Sequence, residues 1–192
     1  MTSIDERKQD IVFEATLRGR RLTFHSTWGL FSPRGVDNGS YLLIEHVDLG
    51  EADVTLDLGC GYGAIGVAVA AATPAGRVHM ADKDFVAVDY ARTNAAANGL
   101  AHCEAYLSNA FSAVPDVRFD NILSNLPANV GREMLTIVLH DAHAHLKPGG
   151  QLVVVTVAGL RNFIKRNFRE VFGNYKKLKQ GRNHTIARAV RE

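Results

Sequence analysis

DLGCGYGAIG (57–66), a glycine-rich turn between an apolar run and a small-residue stretch, is the segment of this sequence best suited to chemistry. Gly59, Gly61 and Gly63 permit backbone angles that a β-carbon forbids, and they let a ligand approach the main chain closely. Gly59, Gly61 and Ala64 also fit the G-x-G-x-x-A of a nicotinamide-binding turn, and a turn serving only tight strand–helix packing is a further reading. Two carboxylates narrow the choice. Asp57 stands two residues before the first glycine, where it can hold a water or the ammonium of a methionyl group. Behind a pyrophosphate it would add unwelcome negative charge. Asp82 follows nineteen residues after Gly63 and can accept hydrogen bonds from both ribose hydroxyls. Asp82 suits either cofactor; Asp57 favours S-adenosylmethionine. Cys60 reads as a small apolar filler, and Asp84 as a solvated or helix-capping residue.

These residues sit where strands end. The segment IVFEATLRGRRLTFHST (11–27) suggests two short strands around Arg18-Gly19-Arg20, and WGLFSPRGVDNGS (28–40) a glycine- and proline-punctuated loop. SYLLIEHV (40–47) then reads as a helix with Ser40 near its start as a cap. Beyond it strand and helix alternate. VTLDLG (54–59), RVHMAD (77–82), AHCEAYLS (101–108), FDNILSN (119–125) and QLVVVTV (151–157) read as strands. Helices are expected at 63–72, at 84–97 with Asn98-Gly99 as the stop, at 132–146 ended by Lys147-Pro148-Gly149-Gly150, and at 161–172. YKKLKQGRNHTIARAV (175–190) closes the chain as a hairpin turning near Gly181-Arg182. Such alternation implies a mainly parallel sheet covered on both faces, with ligands beyond the carboxyl ends of the strands. SNLPA (124–128) lies at one of those ends. Asn125-x-Pro127 by itself suits an ordinary turn, but beside the glycine loop and Asp82 it becomes a candidate for catalysis.

Composition is that of an ordinary globular domain, 46% hydrophobic and 22% charged over 192 residues. The expected organisation is one domain over 1–192, with N-terminal strands and loop to residue 37 and a core from 38 onward. No run approaches a membrane span, and the charged start MTSIDERKQD lacks the apolar stretch of a signal peptide. Cys60 and Cys103 make neither a metal motif nor a disulfide framework, so the expected compartment is the cytoplasm. His140 and His143 share a helix face, but a site with His145 lacks further ligands, and no metal is expected. The net charge of +2 conceals an asymmetry. Residues 161–192 hold ten Lys/Arg and two acids, whereas 1–160 hold twelve and eighteen. A basic tail on an acidic body fits a polyanionic partner such as RNA, or a solvated basic face.

DLGCGYGAIG, ADKDFVAVDYARTNAAANGL, FSPRGVDNGSYLL, SNAFSAV and SNLPANVG together resemble the methyltransferase small domain family of class I S-adenosylmethionine-dependent methyltransferases, from about Leu17 to the end. That family includes ribosomal RNA guanine-N2 methyltransferases. The resemblance implies a Rossmann-like α/β fold with a mainly parallel seven-stranded sheet, a C-terminal antiparallel hairpin and short N-terminal strands. It places Asp57, Gly59, Gly61 and Gly63 along the methionine side of the cofactor, Asp82 with Lys83 at the ribose, and Asn109 and Ala110 beside the adenine. It assigns Asp37, Ser40, Gly39 and Phe31 to closing over the cofactor and framing the target pocket. It makes Asn125, Leu126 and Pro127 the catalytic turn. Here the sequence departs from the family's Asn-Pro-Pro followed by an aromatic: Leu126 and Ala128 replace the first proline and the aromatic.

The chemistry implied is in-line displacement at a sulfonium methyl by an exocyclic amine whose lone pair is delocalised into its ring. Acceptors on the N–H groups favour the nucleophilic geometry and stabilise the developing positive charge. Asn125 Oδ1 is one such acceptor, and the carbonyl of residue 126 supplies the other from leucine as well as from proline. Ala128 cannot stack on the target base, so Phe31 or Trp28 is the available substitute. The leading expectation is methylation of guanine N2 in ribosomal RNA. A protein glutamine or a small molecule is an alternative substrate, and a non-catalytic S-adenosylmethionine-binding protein an alternative class. A nicotinamide oxidoreductase leaves Asp57 and SNLPA without a role. For a chain holding one copy of a domain that relatives often carry twice, the resemblance implies a homodimer, or recognition by the N-terminal strands and basic hairpin.

Overall fold

The computed structural model describes Ile4 and residues 9–127 and 130–192. Its strands are β1 (Ile11–Leu17), β2 (Arg20–Ser26), β3 (Val54–Leu58), β4 (Arg77–Asp82), β5 (Cys103–Leu107), β6 (Phe119–Asn125), β7 (Leu146–Val157), β8 (Lys176–Gln180) and β9 (His184–Val190). The helices are α1 (Asn38–His46), α2 (Ala64–Ala72), α3 (Phe85–Ala97), α4 (Arg132–His145) and α5 (Arg161–Phe172). β1 and β2 form a separate antiparallel hairpin; the other strands make a seven-stranded sheet in the order β5-β4-β3-β6-β7-β9-β8. β3 to β7 run parallel, and β9 runs antiparallel to both β7 and β8. This is the mainly parallel sheet that the alternating pattern implied, with the seven strands, Rossmann-like order and terminal hairpin that the resemblance implied.

Alternation along the strands divides the core. Val153, Val155 and Ile186 pack with α1, α2 and α3, while Val154, Ala187 and Leu152 pack with α4 and α5. The order of strands reverses between β3 and β6, the switch point beyond whose carboxyl ends open α/β sheets bind their ligands. The N-terminal hairpin is fastened over α3 by two asparagines. Asn94, fully buried, exchanges hydrogen bonds with the His25 backbone (2.6 and 2.9 Å), and Asn98 does so with that of Thr23 (3.0 and 2.8 Å).

Three local expectations change. The cap of α1 is Asp37, not Ser40: its Oδ1 accepts from the N–H groups of Gly39 (2.8 Å) and Ser40 (3.2 Å). An extended residue with a charged acceptor before the first turn satisfies more of the orphan donors than a hydroxyl two residues inside. The second change concerns 146–150: Leu146, expected to end the helix, and the stop residues Lys147–Gly150 all join β7. Leu146 is extended and fully buried against Phe119, and a register shift then carries the pairing to Asn121–Gln151. Third, Gly63 lies outside α2, as a left-handed residue that precedes it (φ 88°).

Candidate active site

The glycine loop is drawn over the end of β4. Gly59 and Cys60 donate to the Ala81 carbonyl (2.8 and 3.1 Å), and Gly61 donates to Asp82 Oδ2 (2.8 Å). Asp82 Oδ1 accepts from Asp84 (3.0 Å), so this half-buried carboxylate at the strand end already braces two backbones. Gly59 and Gly61 have φ values of 73° and 55°, and a Cβ built on either meets no protein atom within 4 Å. That open space before the loop is what a cofactor needs. Gly63 differs: a Cβ there stands 3.2 Å from both Ala91 and Met80, so it serves the close packing of loop on helix.

Asp57 is enclosed, 1% exposed. Its Oδ2 accepts from Gly66 in the first turn of α2 (2.8 Å), and its Oδ1 has no hydrogen-bond partner among the described residues. Burial pushes its carboxyl up to about 7, against the lowering effect of the Gly66 bond and with a smaller push from the Asp82 charge. An uncompensated buried oxygen beneath the loop fits a site completed by a polar or cationic group. Enclosure also argues against Asp57 as an open wall of the cleft, because its better-defined contact is to the protein's own helix. Burial raises the Cys60 thiol as well, in keeping with a filler and not a nucleophile.

Asn125 terminates β6 at the other side of the crevice. Its Nδ2 donates to Ser40 Oγ (3.0 Å) and lies 3.3 Å from both Asp37 carboxylate oxygens. The cap of α1 and the end of β6 therefore share one carboxylate, across 88 residues of sequence. With the amide nitrogen turned to Asp37 and Ser40, Oδ1 is the end available to accept. Ser124 Oγ ties the same strand end to the Leu58 carbonyl (2.7 Å), beside the glycine loop. Leu126 is anchored differently from the proline it replaces. Its N–H donates to the Val155 carbonyl (3.2 Å), and its side chain is 5% exposed in the α4–α5 core. Pro127 is exposed, and Ala128 lies outside the described residues.

The loop before α1 presents large side chains to solvent. Phe31 is 69% exposed and Trp28 44%, with the Arg34 guanidinium 4.6 Å above the indole ring. Ser32, at a φ of 49°, and Tyr62 both donate to the Gly35 carbonyl (2.7 and 3.1 Å), which ties this loop to the glycine loop. Tyr62 is in turn held by the aromatic rings of Phe13 and Phe24, and its carbonyl accepts from Asn94 (2.8 Å). Nothing in the sequence pattern marks Tyr62 or Asn94 as part of the site. Beyond β4, Lys83 is exposed beside Asp82. After β5, Asn109 is exposed and Ala110 takes a left-handed φ of 51°, in a turn bound by Ser108 Oγ to Ala110 and Ala113.

The structure thus brings Asp57, the loop glycines and Asp82 together, and joins Asp37, Ser40 and Asn125 in a second cluster. Two clefts lie elsewhere. One of about 340 Å³ is lined by Asp53, Asp120, Gln151 and Arg188, and one of about 390 Å³ by Met80, Arg92 and Cys103. Neither contains a residue of the two clusters. Among the described residues no group of His, Cys, Asp and Glu is arranged to hold a metal, and no helix is long and apolar enough to cross a membrane.

Comparison with known proteins gives this geometry a family. Residues 21–188 match the methyltransferase small domain. The chain is 36% identical over 155 residues to the uncharacterized protein YbxB of Bacillus subtilis, covering 80% of this chain and 76% of that one. It is 34% identical over 173 residues to ribosomal RNA small subunit methyltransferase C of Klebsiella pneumoniae, covering 88% of this chain and 49% of that one. Among solved structures, the Thermus thermophilus 16S rRNA N2 G1207 methyltransferase in complex with AdoMet and guanosine superposes with a TM-score of 0.85 at 30% identity. That match covers 94% of this chain and 50% of the other. A precorrin methyltransferase from Geobacter metallireducens shares the fold at a TM-score of 0.72 and 14% identity. This chain spans about half the length of the ribosomal RNA methyltransferases it matches. The match over most of the chain, and the loop and acidic residues at the strand ends, make it a member of the methyltransferase small domain family of S-adenosylmethionine-dependent methyltransferases.

Proposed function

We propose that this chain transfers a methyl group to the exocyclic N2 amine of a guanine in ribosomal RNA. The observation that carries the reading is Asn125, whose amide nitrogen is engaged by Asp37 and Ser40 so that Oδ1 is left to accept. The likeness at 30% identity to an enzyme solved with guanosine supports the choice of base.

S-adenosylmethionine, when bound, supplies an electrophilic methyl on a sulfonium and leaves as S-adenosylhomocysteine. Gly59 and Gly61 leave room for it, and the free lone pairs of Asp82 suit the ribose hydroxyls, with Lys83 beside them. Gly63 and Asp57 act mainly from behind, the one by packing the loop on α3 and the other by fixing the first turn of α2. Asn109 and Ala110 form the turn assigned to the adenine edge. At the acceptor, Asn125 Oδ1 and the carbonyl of Leu126 draw the two N–H bonds of the amine toward the protein. That orients the nitrogen lone pair outward and stabilises the positive charge the amine develops, after which one proton passes to solvent. No general base is required, since alignment supplies most of the advantage. Phe31 offers the exposed ring that residue 128 does not, and Pro127 keeps Leu126 extended. RNA is the partner in this reading and the cytoplasm the place of work.

The test pairs Asn125→Ala with the parent protein, using labelled S-adenosylmethionine and ribosomal RNA from cells lacking the enzyme. Turnover should vanish in the variant while calorimetry shows unchanged S-adenosylhomocysteine affinity, and nucleotide mapping of the parent's product should find N2-methylguanosine. Label confined to protein, or an Asn125→Ala variant of full activity, would refute the proposal.

A further inference from the structure

The residues of the site leave the basic C-terminal segment without a task. Folding employs part of its charge: Arg188 pairs with Asp48 (3.3 Å), Arg191 donates to the carbonyls of Ala144 and Leu146, and Arg161 Nε donates to Thr185 Oγ1 (2.9 Å). Lys165, Lys179 and Arg182 are exposed, and none of them has an acidic partner within 4.0 Å among the described residues.

Strand register places Lys179 and Arg182, and chain connectivity Lys165, toward the Asn125 end of the sheet. β6 ends with Asn125 opposite Val155, β7 ends with Val157 opposite His184, and Gln180 pairs with Thr185. The turn between β8 and β9, which holds Arg182, therefore stands at the carboxyl end of the parallel strands. It packs on the first turn of α1: a Cβ on Gly181 would lie 3.2 Å from Leu42, and one on Gly39 would lie 3.3 Å from His184. Ser40, in that same helical turn, bonds Asn125. α5 leaves this end of β7 directly, after Ala158–Leu160, and Lys165 lies one helical turn along it.

We propose that Lys165, Lys179 and Arg182 form a rim on which the phosphate backbone of the substrate RNA docks, next to the nucleotide presented to Asn125. The inference rests on the RNA reading above and adds to it a surface. Lysines on an edge strand also discourage unwanted strand pairing, which is reason enough for Lys176 and Lys177 and accounts in part for Lys179, which joins the rim by its place level with Asn125 across β9 and β7. That reason does not extend to Arg182 in a turn or to Lys165 on a helix. Cations with no acid to neutralise them, gathered beside a site for a nucleotide, complement a polyanion. Phosphate contacts hold register without reading bases, so removing them should weaken RNA binding and leave the chemical step intact.

The experiment measures methylation of small-subunit ribosomal RNA at several KCl concentrations. It compares the parent with the triple variant Lys165→Gln, Lys179→Gln, Arg182→Gln, and with Arg77→Gln, Arg118→Gln at the opposite end of the sheet. The triple variant should raise KM for RNA at least tenfold with kcat and S-adenosylhomocysteine affinity retained. The slope of log kcat/KM against log salt should become shallower by about 2, at roughly 0.7 for each phosphate no longer neutralised. The double variant should match the parent. A triple variant with the parent's KM and salt slope overturns the rim while the RNA reading stands, and so does an equal rise in KM from the double variant. A parent protein that places no label in RNA overturns both.

Discussion

Asp37 does two jobs with one carboxylate, and they can be separated. It caps α1 through Gly39 and Ser40, and it receives the Asn125 amide. Loss of an acidic cap costs about 1 kcal/mol, which in a chain of this size lowers Tm by about 2–4 °C. A hydrogen bond to a charged acceptor is worth about 1.5–3 kcal/mol, and each ~1.4 kcal/mol is a factor of ten in rate. The two contacts to Asn125 are long at 3.3 Å, and Ser40 remains at 3.0 Å. The lower end of that range therefore applies, about a tenfold fall in kcat/KM for Asp37→Ala. Asp37→Ser is the discriminating variant, because a serine caps a helix well but is too short to hold both. It should recover the parent's Tm and keep the low kcat/KM, with S-adenosylhomocysteine affinity unchanged in both variants. Differential scanning fluorimetry, steady-state methylation and calorimetry read the three quantities. Full activity in Asp37→Ser would show that the amide contact is idle. Cofactor affinity falling in step with activity would show that Asp37 serves the cofactor and not Asn125.

Asp57 predicts a pH dependence of stability. Its carboxyl, pushed by burial from 3.8 to about 7, binds a proton in the folded state that the unfolded chain has already released. Stability contributed by this group is therefore complete below about pH 4 and declines as pH rises through about 7. Thermal melts of Asp57→Asn should lose this part of the decline, and a variant with the parent's slope would contradict it. Gly61→Ala and Gly99→Ala both place a methyl at a positive φ (55° and 70°) in open space. Each should cost on the order of 1 kcal/mol of stability, but calorimetry should show S-adenosylhomocysteine binding lost only in Gly61→Ala; equal affinities would mean the loop does not line the cofactor. Phe31→Ala removes a side chain that is 69% exposed, so Tm should not move. KM for RNA should rise about tenfold or more, the equivalent of one base stack of about 1–3 kcal/mol, and an unchanged KM would return the stacking role to another residue.

The glycine loop, Asp82 and the strand ends were legible in the sequence because each is local. A positive φ calls for glycine at 59 and 61, and the short, mostly apolar stretch Val54–Leu58 before them calls for a buried strand. The topological crevice followed from the alternation of elements alone. What was not legible depends on contacts across the chain. Asp57 reads as a cofactor-side carboxylate by its spacing; that its Oδ2 is tied to Gly66 follows only from the way α2 packs over it. Ser40 reads as a cap by type, yet the charged Asp37 takes that place and frees the hydroxyl for Asn125. Asn94 and Tyr62 carry no motif. Their importance comes from the 69 residues that separate Asn94 from His25 and the 27 that separate Tyr62 from Gly35.

These long-range bonds have a common consequence. The loop at 28–37 is tied to the glycine loop by Tyr62, and the helix that follows it is tied to β6 by Asp37 and Ser40. The segment lying between the cofactor side and the acceptor side is thus bonded to both. In the proposed reaction, Asp37 and Ser40 hold the Asn125 amide nitrogen, which leaves Oδ1 for the incoming amine. The departure at Leu126 falls just beyond this shared anchor, whose bonds are all in place. Leu126 exchanges the rigidity of proline for a side chain sunk in the core and keeps the carbonyl that the proposed mechanism uses. In the acceptor role proposed for Asn125, its geometry rests less on the rigidity of the Asn-x-Pro turn than on the carboxylate of Asp37, and Asp37→Ser is the variant that tests it.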